Sequence, residues 1–265
     1  MKIVILRGGA PVRRRRDTAA STADRGVMAI GDESGGWALV NMSPAVAHQL
    51  ATDLRLPERL ADAAARVVLL TDAQVDHVGG LLSLRDGPPL ALYATPAVFE
   101  ALTTELPILP VLQHYCGVHW HVIPVAGDAP MASFTVEGLP GLEFTAMAID
   151  APALPHAPWD QQPRVGDSVA LAVRDLVSGR QVFCAPGVSQ IGPTEFDWMR
   201  QADCLLIDPP AEPETTDQPT IWMDLLKGMP AQHKVLFSAP ARDHDRDTLA
   251  EQGIALAYDG MAIEL

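Results

Sequence analysis

The sequence predicts a layered α/β fold. Short apolar strands alternate with helical stretches from one end of the chain to the other, the pattern of sheets covered by helices. One of those strands, Val67-Val68-Leu69-Leu70, empties directly into a polar cluster, Thr71-Asp72-Ala73-Gln74-Val75-Asp76-His77, with a helix-compatible run at residues 81–85 behind it. That is how a sheet edge presents functional side chains to a crevice. At 265 residues the chain can fold as a single domain over 1–265 that buries roughly three quarters of its unfolded surface. It needs neither disulfides nor metal to hold it together.

In chain order, residues 1–6, 27–30 and 37–41 read as strands from their β-branched and apolar runs. Residues 44–52 and 57–65 read as helices, with Ser43 placed to cap the first and Pro44 at its first turn. Strands at 67–70 and 90–93 flank the polar cluster. Thr95-Pro96 opens a further helix through residue 102 by the same cap-plus-proline logic. Residues 118–124, 133–136, 142–148, 168–173 and 181–184 extend the β content. The proline-rich, polar interval 151–166 reads as a long loop over the site. Residues 204–207, 235–238 and 254–257 are late strands, with a helix over 246–252. No internal repeat, low-complexity tract, G-x-G-x-x-G, P-loop or G-x-S-x-G elbow is present.

Charge and composition exclude several classes. A net charge of −14 repels phosphate backbones, so nucleic acid is not an expected partner. No apolar run approaches the ~20 residues that span a bilayer. The start, Met1-Lys2-Ile3-Val4-Ile5-Leu6-Arg7, is too short for a signal-peptide core. Cys116, Cys184 and Cys204 are isolated and odd in number, which points to reduced thiols and a cytoplasmic protein. The basic run Arg13-Arg14-Arg15-Arg16 is either a solvated loop or, through Arg16, an anion-binding patch that draws an acidic peptide towards the site.

Among candidate site residues, Asp76 and His77 offer oxygen and nitrogen donors suited to Fe(II), Mn(II) or Zn(II). A capping aspartate beside a surface histidine is the alternative. Asp72 can ligate a metal or orient a ligating histidine by hydrogen bonding. Gln74 suits a substrate or water contact better than a metal. Asp208 leaves the apolar strand Leu205-Leu206-Ile207 at the end where open α/β crevices bind ligands. Asp150 or His156 can add a donor from the loop. His114, Cys116, His119 and His121 fit no common zinc spacing, and a partly exposed edge strand is the default there.

The stretch TDAQVDH followed by GLLSLRDG closely resembles the form found in the pyrroloquinoline quinone (PQQ) biosynthesis protein family PqqB. So do the WALVNMSP segment with Gln49-Leu50, GDSVAL at 166–171, FCAPG at 183–187, ADCLLID at 202–208 and the closing DGMAI at 259–263. These landmarks run in order through nearly the whole chain. The resemblance implies an αββα sandwich of metallo-β-lactamase type, in which Asp72 and Gln74 stand where that fold usually has histidines. It further implies metal-dependent hydroxylation of a small tyrosine-containing peptide or amino-acid substrate. A single divalent ion, Fe(II) favoured, would be held by Asp76, His77 and Asp208, with Asp72 and Gln74 beside it and Gln74, His156 and Arg16 towards substrate.

This sequence departs from the family at several points. Pro209-Pro210 replaces the Gly-Thr after Asp208. No cysteine stands near the N-terminus, so no structural zinc is expected there. Ser238 occupies the position of a late ligating histidine, and His244 is its nearest substitute. Two further expectations therefore stand beside the first: a non-catalytic paralogue that binds metal weakly or not at all, and a metal-dependent hydrolase. Oligomeric state is left open, a homo-oligomer included.

Overall fold

A computed structural model of the chain describes residues 1–8, 26–52, 66–151, 154, 156, 163–208, 221–238 and 249–265. Two seven-stranded sheets stack face to face. The first holds β1 (Lys2–Arg7), β2 (Val27–Gly31), β3 (Trp37–Val40), β4 (Val67–Leu69), β5 (Leu90–Ala94) and β6 (Val118–Val122), with β14 (Met261–Glu264) added at its far edge. Its order is β14-β1-β2-β3-β4-β5-β6. The second holds β7 (Met131–Phe134), β8 (Leu142–Ala148), β9 (Val169–Asp175), β10 (Gln181–Ala185), β11 (Cys204–Ile207), β12 (His233–Leu236) and β13 (Ile254–Leu256). Its order is β13-β12-β11-β10-β9-β8-β7.

Each sheet is antiparallel in one half and parallel in the other. Strands β3 to β6 run parallel, as do β10 to β13. The parallel halves need helical crossovers, and these cover the outer faces. Helices α1 (Pro44–Thr52), α2 (Val75–Val78), α3 (Pro96–Thr104) and α4 (Ile108–Gln113) lie in the first half of the chain. A 3-10 turn at Gly79–Leu84 continues α2. Helices α5 (Pro193–Gln201) and α6 (Ile221–Gly228) lie in the second half.

Three apolar clusters follow from this layering. One, with Ile3, Ile5, Met28, Leu69, Phe144, Leu171 and Leu206, fills the space between the sheets. A second packs Leu39, Val68, Leu81, Leu92, Leu102 and Leu112 between the first sheet and its helices. The third does the same for the second sheet with Phe183, Met199, Leu205 and Leu226. Residues i and i+2 of β4 and β11 thus serve different clusters from their neighbours, and strands buried on both faces read as unbroken apolar runs. This is the αββα sandwich the resemblance implies.

The strand expectations hold to within two residues at either end, with β7 and β12 shifted whole by two residues towards the N-terminus, and β14 was not expected. Thr95 caps α3 as expected, its side chain accepting from the Val98 N–H. Ser43 does not cap α1 with its side chain. Its hydroxyl is buried and makes no hydrogen bond, and Gly80 packs against the Ser43 backbone, where a Cβ would stand 2.2 Å from the Ser43 carbonyl oxygen. The helix expected at 57–65 and most of that expected at 246–252 lie outside the described residues, as do most of the 151–166 loop, Arg16 and His244. Cys116, Cys184 and Cys204 are free and buried. Burial pushes the Cys184 thiol well up, and that of Cys204 to about 12, with the neighbouring Asp203 carboxylate adding to the second. No described helix is long and apolar enough to cross a membrane.

Candidate functional site

The carboxyl ends of the parallel strands of both sheets meet at one rim. Strand β4 runs out at Leu69, and Thr71 joins the sheets there: its carbonyl accepts from the Val169 N–H of β9 at 2.8 Å. On the opposite sheet the Asp208 N–H, just after β11, donates to the Ala185 carbonyl at the end of β10. The polar residues after β4 and β11 therefore face one crevice, the place where open α/β sheets bind ligands.

At its floor lies a buried polar chain. The Asn41 side-chain amide donates to the Gly26 carbonyl at 3.1 Å and to Thr71 Oγ1 at 2.9 Å, while its carbonyl oxygen accepts from the Thr71 N–H at 3.0 Å. Thr71 Oγ1 in turn stands 3.0 Å from Asp72 Oδ2 and can donate to it. Both Asp72 oxygens lie 2.8 Å from His77 Nδ1, and Oδ1 also accepts from the Gln74 N–H at 2.9 Å. Burial alone would raise the Asp72 carboxyl. The His77 charge and hydrogen bond, with those from the Gln74 N–H and Thr71, outweigh it and hold the carboxyl below its ordinary range. An ionised Asp72 accepts the Nδ1 proton, so that whenever the imidazole is neutral its lone pair stands on Nε2.

Two glycines shape the surroundings of that imidazole. Gly26, at φ +74°, comes so close that a Cβ there would stand 2.8 Å from Pro186 Cβ and 3.4 Å from His77 Nε2. Gly187, at φ +73°, approaches the Gln74 amide in the same way, at 3.4 Å from Nε2. The Ala185-Pro186-Gly187 turn of the second sheet therefore lies against Gln74 and His77 of the first.

Asp76 sits half-buried in the single turn of α2, and Asp208 is half-buried at the end of β11. Among the described residues no group of three or more His, Cys, Asp or Glu side chains is arranged to hold a metal ion. Asp76, His77 and Asp208, the expected ligand set, do not form such a group among the described residues. The termini of β4 and β11 bring them to one rim, Asp76 and His77 as neighbours in α2, which begins at Val75. Ser238 stands half-buried beyond β12, where the resemblance expects a histidine donor.

His156 is half-buried, and its Nε2 is enclosed without a hydrogen-bond partner. Asp150 is exposed, and its carbonyl accepts from the Ser189 N–H. The His114–His121 segment is an edge: His114 and His119 are exposed, Cys116 is buried, and His121 stacks on Tyr93 at 4.5 Å between ring centroids. Sequence reasoning missed Asn41 as a member of the site. Asn41 stood in the sequence as the polar end of the strand expected over 37–41 and within the WALVNMSP landmark.

A family model described as a beta-lactamase superfamily domain matches residues 36–237. Coenzyme PQQ synthesis protein B from Methylobacillus flagellatus is 36% identical over 258 aligned positions, covering 86% of this chain and 84% of the relative. Its counterpart from Klebsiella pneumoniae (strain 342) is 33% identical, covering 93% and 88%. Among solved structures, Zn(2+)-bound PqqB from Methylobacterium extorquens superposes over the full length of both chains with a TM-score of 0.70 at 20% identity. A diphosphatase of the PhnP family gives 0.64 at 17% identity, over all of this chain and 96% of the other. At such identities the two structures speak for the fold.

Proposed function

Since the chain belongs to the PqqB family within the β-lactamase superfamily, we propose that it acts in PQQ biosynthesis, on a small tyrosine-containing peptide or amino-acid precursor held in the crevice over Asp72 and His77. The observation that carries this reading is a relative named for PQQ synthesis that is 36% identical across 86% of the chain. The site is consistent with it. His77, oriented through Nδ1 by a buried and ionised Asp72, is set to take a proton at Nε2 from a substrate hydroxyl or amine. Gln74, beside the Gly187 turn, offers an amide to a polar substrate group.

The metal-dependent hydroxylation that the resemblance implies needs a redox-active ion with open positions. His77, Asp76 and Asp208 are the donors this chain would bring to it, and among the described residues they do not stand as a group of three around an ion. The reading therefore stops at substrate binding and proton transfer by the chain's own residues. The same observation, with Ser238 in place of a histidine, favours a second reading: an accessory protein that binds the precursor without transforming it.

Complementation tests both. In a PQQ-producing bacterium lacking its own PqqB, the chain is expected to restore PQQ, measured by a PQQ-dependent glucose dehydrogenase. His77→Ala is expected to lower the yield by about 100-fold or more, the scale of a lost general base. Failure of the wild-type chain to restore PQQ would refute a role in the pathway. Full restoration by His77→Ala would leave the accessory reading.

A further inference from the structure

Four strands end the two sheets, and β6 differs from the other three. Strand β14 carries Glu264, β13 follows directly on Glu251 and Gly253, and β7 lies between Asp128 and Glu137. Charged residues in and around an edge strand discourage pairing with another chain. Strand β6, Val118-His119-Trp120-His121-Val122, has no such guard. It lies in a stretch, residues 106–127, that contains no Asp, Glu, Lys or Arg at all, in a chain with a net charge of −14.

The backbone of β6 can be assigned side by side. The Ile123 N–H donates to the Ala94 carbonyl, and the Gly117 carbonyl accepts from the Leu90 N–H, so the odd-numbered residues turn their N–H and C=O towards β5. The even-numbered residues turn theirs outward, since the direction alternates along a strand. The Val118 N–H is taken by the side chain of Gln113 at 3.1 Å. No hydrogen bond among the described residues takes the outward groups of Trp120 and Val122. The Trp120 side chain is already committed, stacked on Phe99 at 3.9 Å and donating through Nε1 to the Ala94 carbonyl, which anchors the middle of the strand. Around it are exposed apolar side chains, Val122 on the strand and Val111 and Tyr115 on and after α4, the helix that packs against it.

We propose that β6 pairs antiparallel with β6 of a second copy about a two-fold axis at Trp120, making the first sheets of two protomers continuous. Trp120 then faces its own counterpart, and Val122 faces Val118 of the other copy. The outward N–H and C=O of Trp120 and the N–H of Val122 find partners without breaking any bond to β5, while the Val122 C=O meets the Val118 N–H of the other copy in exchange for its bond to Gln113. Charge selects the occupant. Two chains at −14 repel over most of their surfaces, and a two-fold contact doubles whatever charge lies in it. The stretch 106–127 contributes none, so a second copy meets here with least repulsion. The exposed apolar residues beside the strand supply the dry contact that backbone pairing alone lacks.

Sedimentation and light scattering of the wild-type chain, from about 1 to 100 µM, are expected to show a mass near twice 28.4 kDa at the upper end. Hydrogen exchange is expected to show protection of the Trp120 and Val122 amides that grows with protein concentration. Val122→Pro removes an outward N–H and costs no bond to β5. It is expected to give a monomer with an unchanged melting temperature. Val122→Glu places a like charge on each side of the axis and is expected to weaken association at least tenfold, which decides the matter should the proline variant fail to fold. A wild type monomeric at 100 µM overturns the proposal. So does a dimer whose affinity is the same in either variant.

Discussion

Asn41 is the only non-glycine residue with a positive φ among the described residues, at +63°. Asparagine tolerates that left-handed conformation better than most residues because its short side chain can hydrogen-bond locally. Here the side chain binds Gly26 on one side and Thr71 on the other, entirely buried. Thr71 then holds Asp72, and Asp72 holds His77. A strained backbone and a fully paired polar side chain at one position are the mark of a site-building residue. Asn41→Gly keeps the backbone but orphans the Thr71 N–H and the Gly26 carbonyl, and is expected to cost about 1–3 kcal/mol. Asn41→Ala adds the left-handed penalty of about 1–2 kcal/mol and is expected to melt below the glycine variant. Thermal denaturation checks the ranking, and equal melting temperatures would show that the strain is not real. That Asp72, Gln74, Asp76, His77 and Asp208 lie at the strand ends was legible in the sequence, because each comes after an apolar strand. What was not legible is their pairing. Whether Asp72 meets a metal or an imidazole depends on the path of α2, and four residues carry no periodicity to reveal it.

At the scale of elements, the turn from α2 into the 3-10 segment is clamped against the entry to α1. The Met42 N–H donates to the His77 carbonyl at 2.6 Å, and the Gly80 N–H to the Met42 carbonyl at 2.9 Å. Gly80 has no room for a side chain, as its Cβ would meet Ser43 and Met42 backbone at 2.2–2.7 Å. Backbone cannot rotate away as a flexible side chain can. Gly80→Ala is therefore expected to cost about 1–3 kcal/mol as overpacking, a fall of some 2–12 °C at about 2–4 °C per kcal/mol. Because the clamp includes the His77 carbonyl, the histidine's NMR signals are expected to move as well. An unchanged melting curve would mean that the approach is looser than described. Most strands were readable because runs buried on both faces stay apolar throughout. Helices α4, α5 and α6 were not foreseen. In α5 only Met199 is buried, so too few apolar positions recur to announce a helix. Gly80 itself reads in the sequence as a turn glycine, and the close approach that demands it involves residues 42 and 43, far away along the chain.

For the molecule as a whole, acid stability turns on carboxylates that the fold has buried and paired. Asp175, at the end of β9 on the side away from the crevice, is buried with the Met1 amino group 3.0 Å from Oδ2. It also accepts from the Val177 and Ser178 N–H groups at 2.9 Å. Burial by itself would raise its pKa. The Ser178 N–H, the Met1 ammonium and the Val177 N–H reverse this and hold it at about 2, against 3.8 for an ordinary aspartate. Asp72 is displaced in the same direction by its own partners. A folded-state pKa below the unfolded one means that the unfolded chain takes up protons first, so stability falls as pH falls. The contribution of Asp175 is complete above about pH 4 and is lost between there and about pH 2. Asp175→Asn keeps the shape but not the charge. It is expected to be less stable than wild type at pH 7, with a difference that narrows steadily from pH 4 to pH 2. Urea denaturation at a series of pH values reads this directly. A difference that stays constant across that window would mean that Asp175 titrates normally in the folded protein, and that neither the amino group nor the turn amides hold its charge.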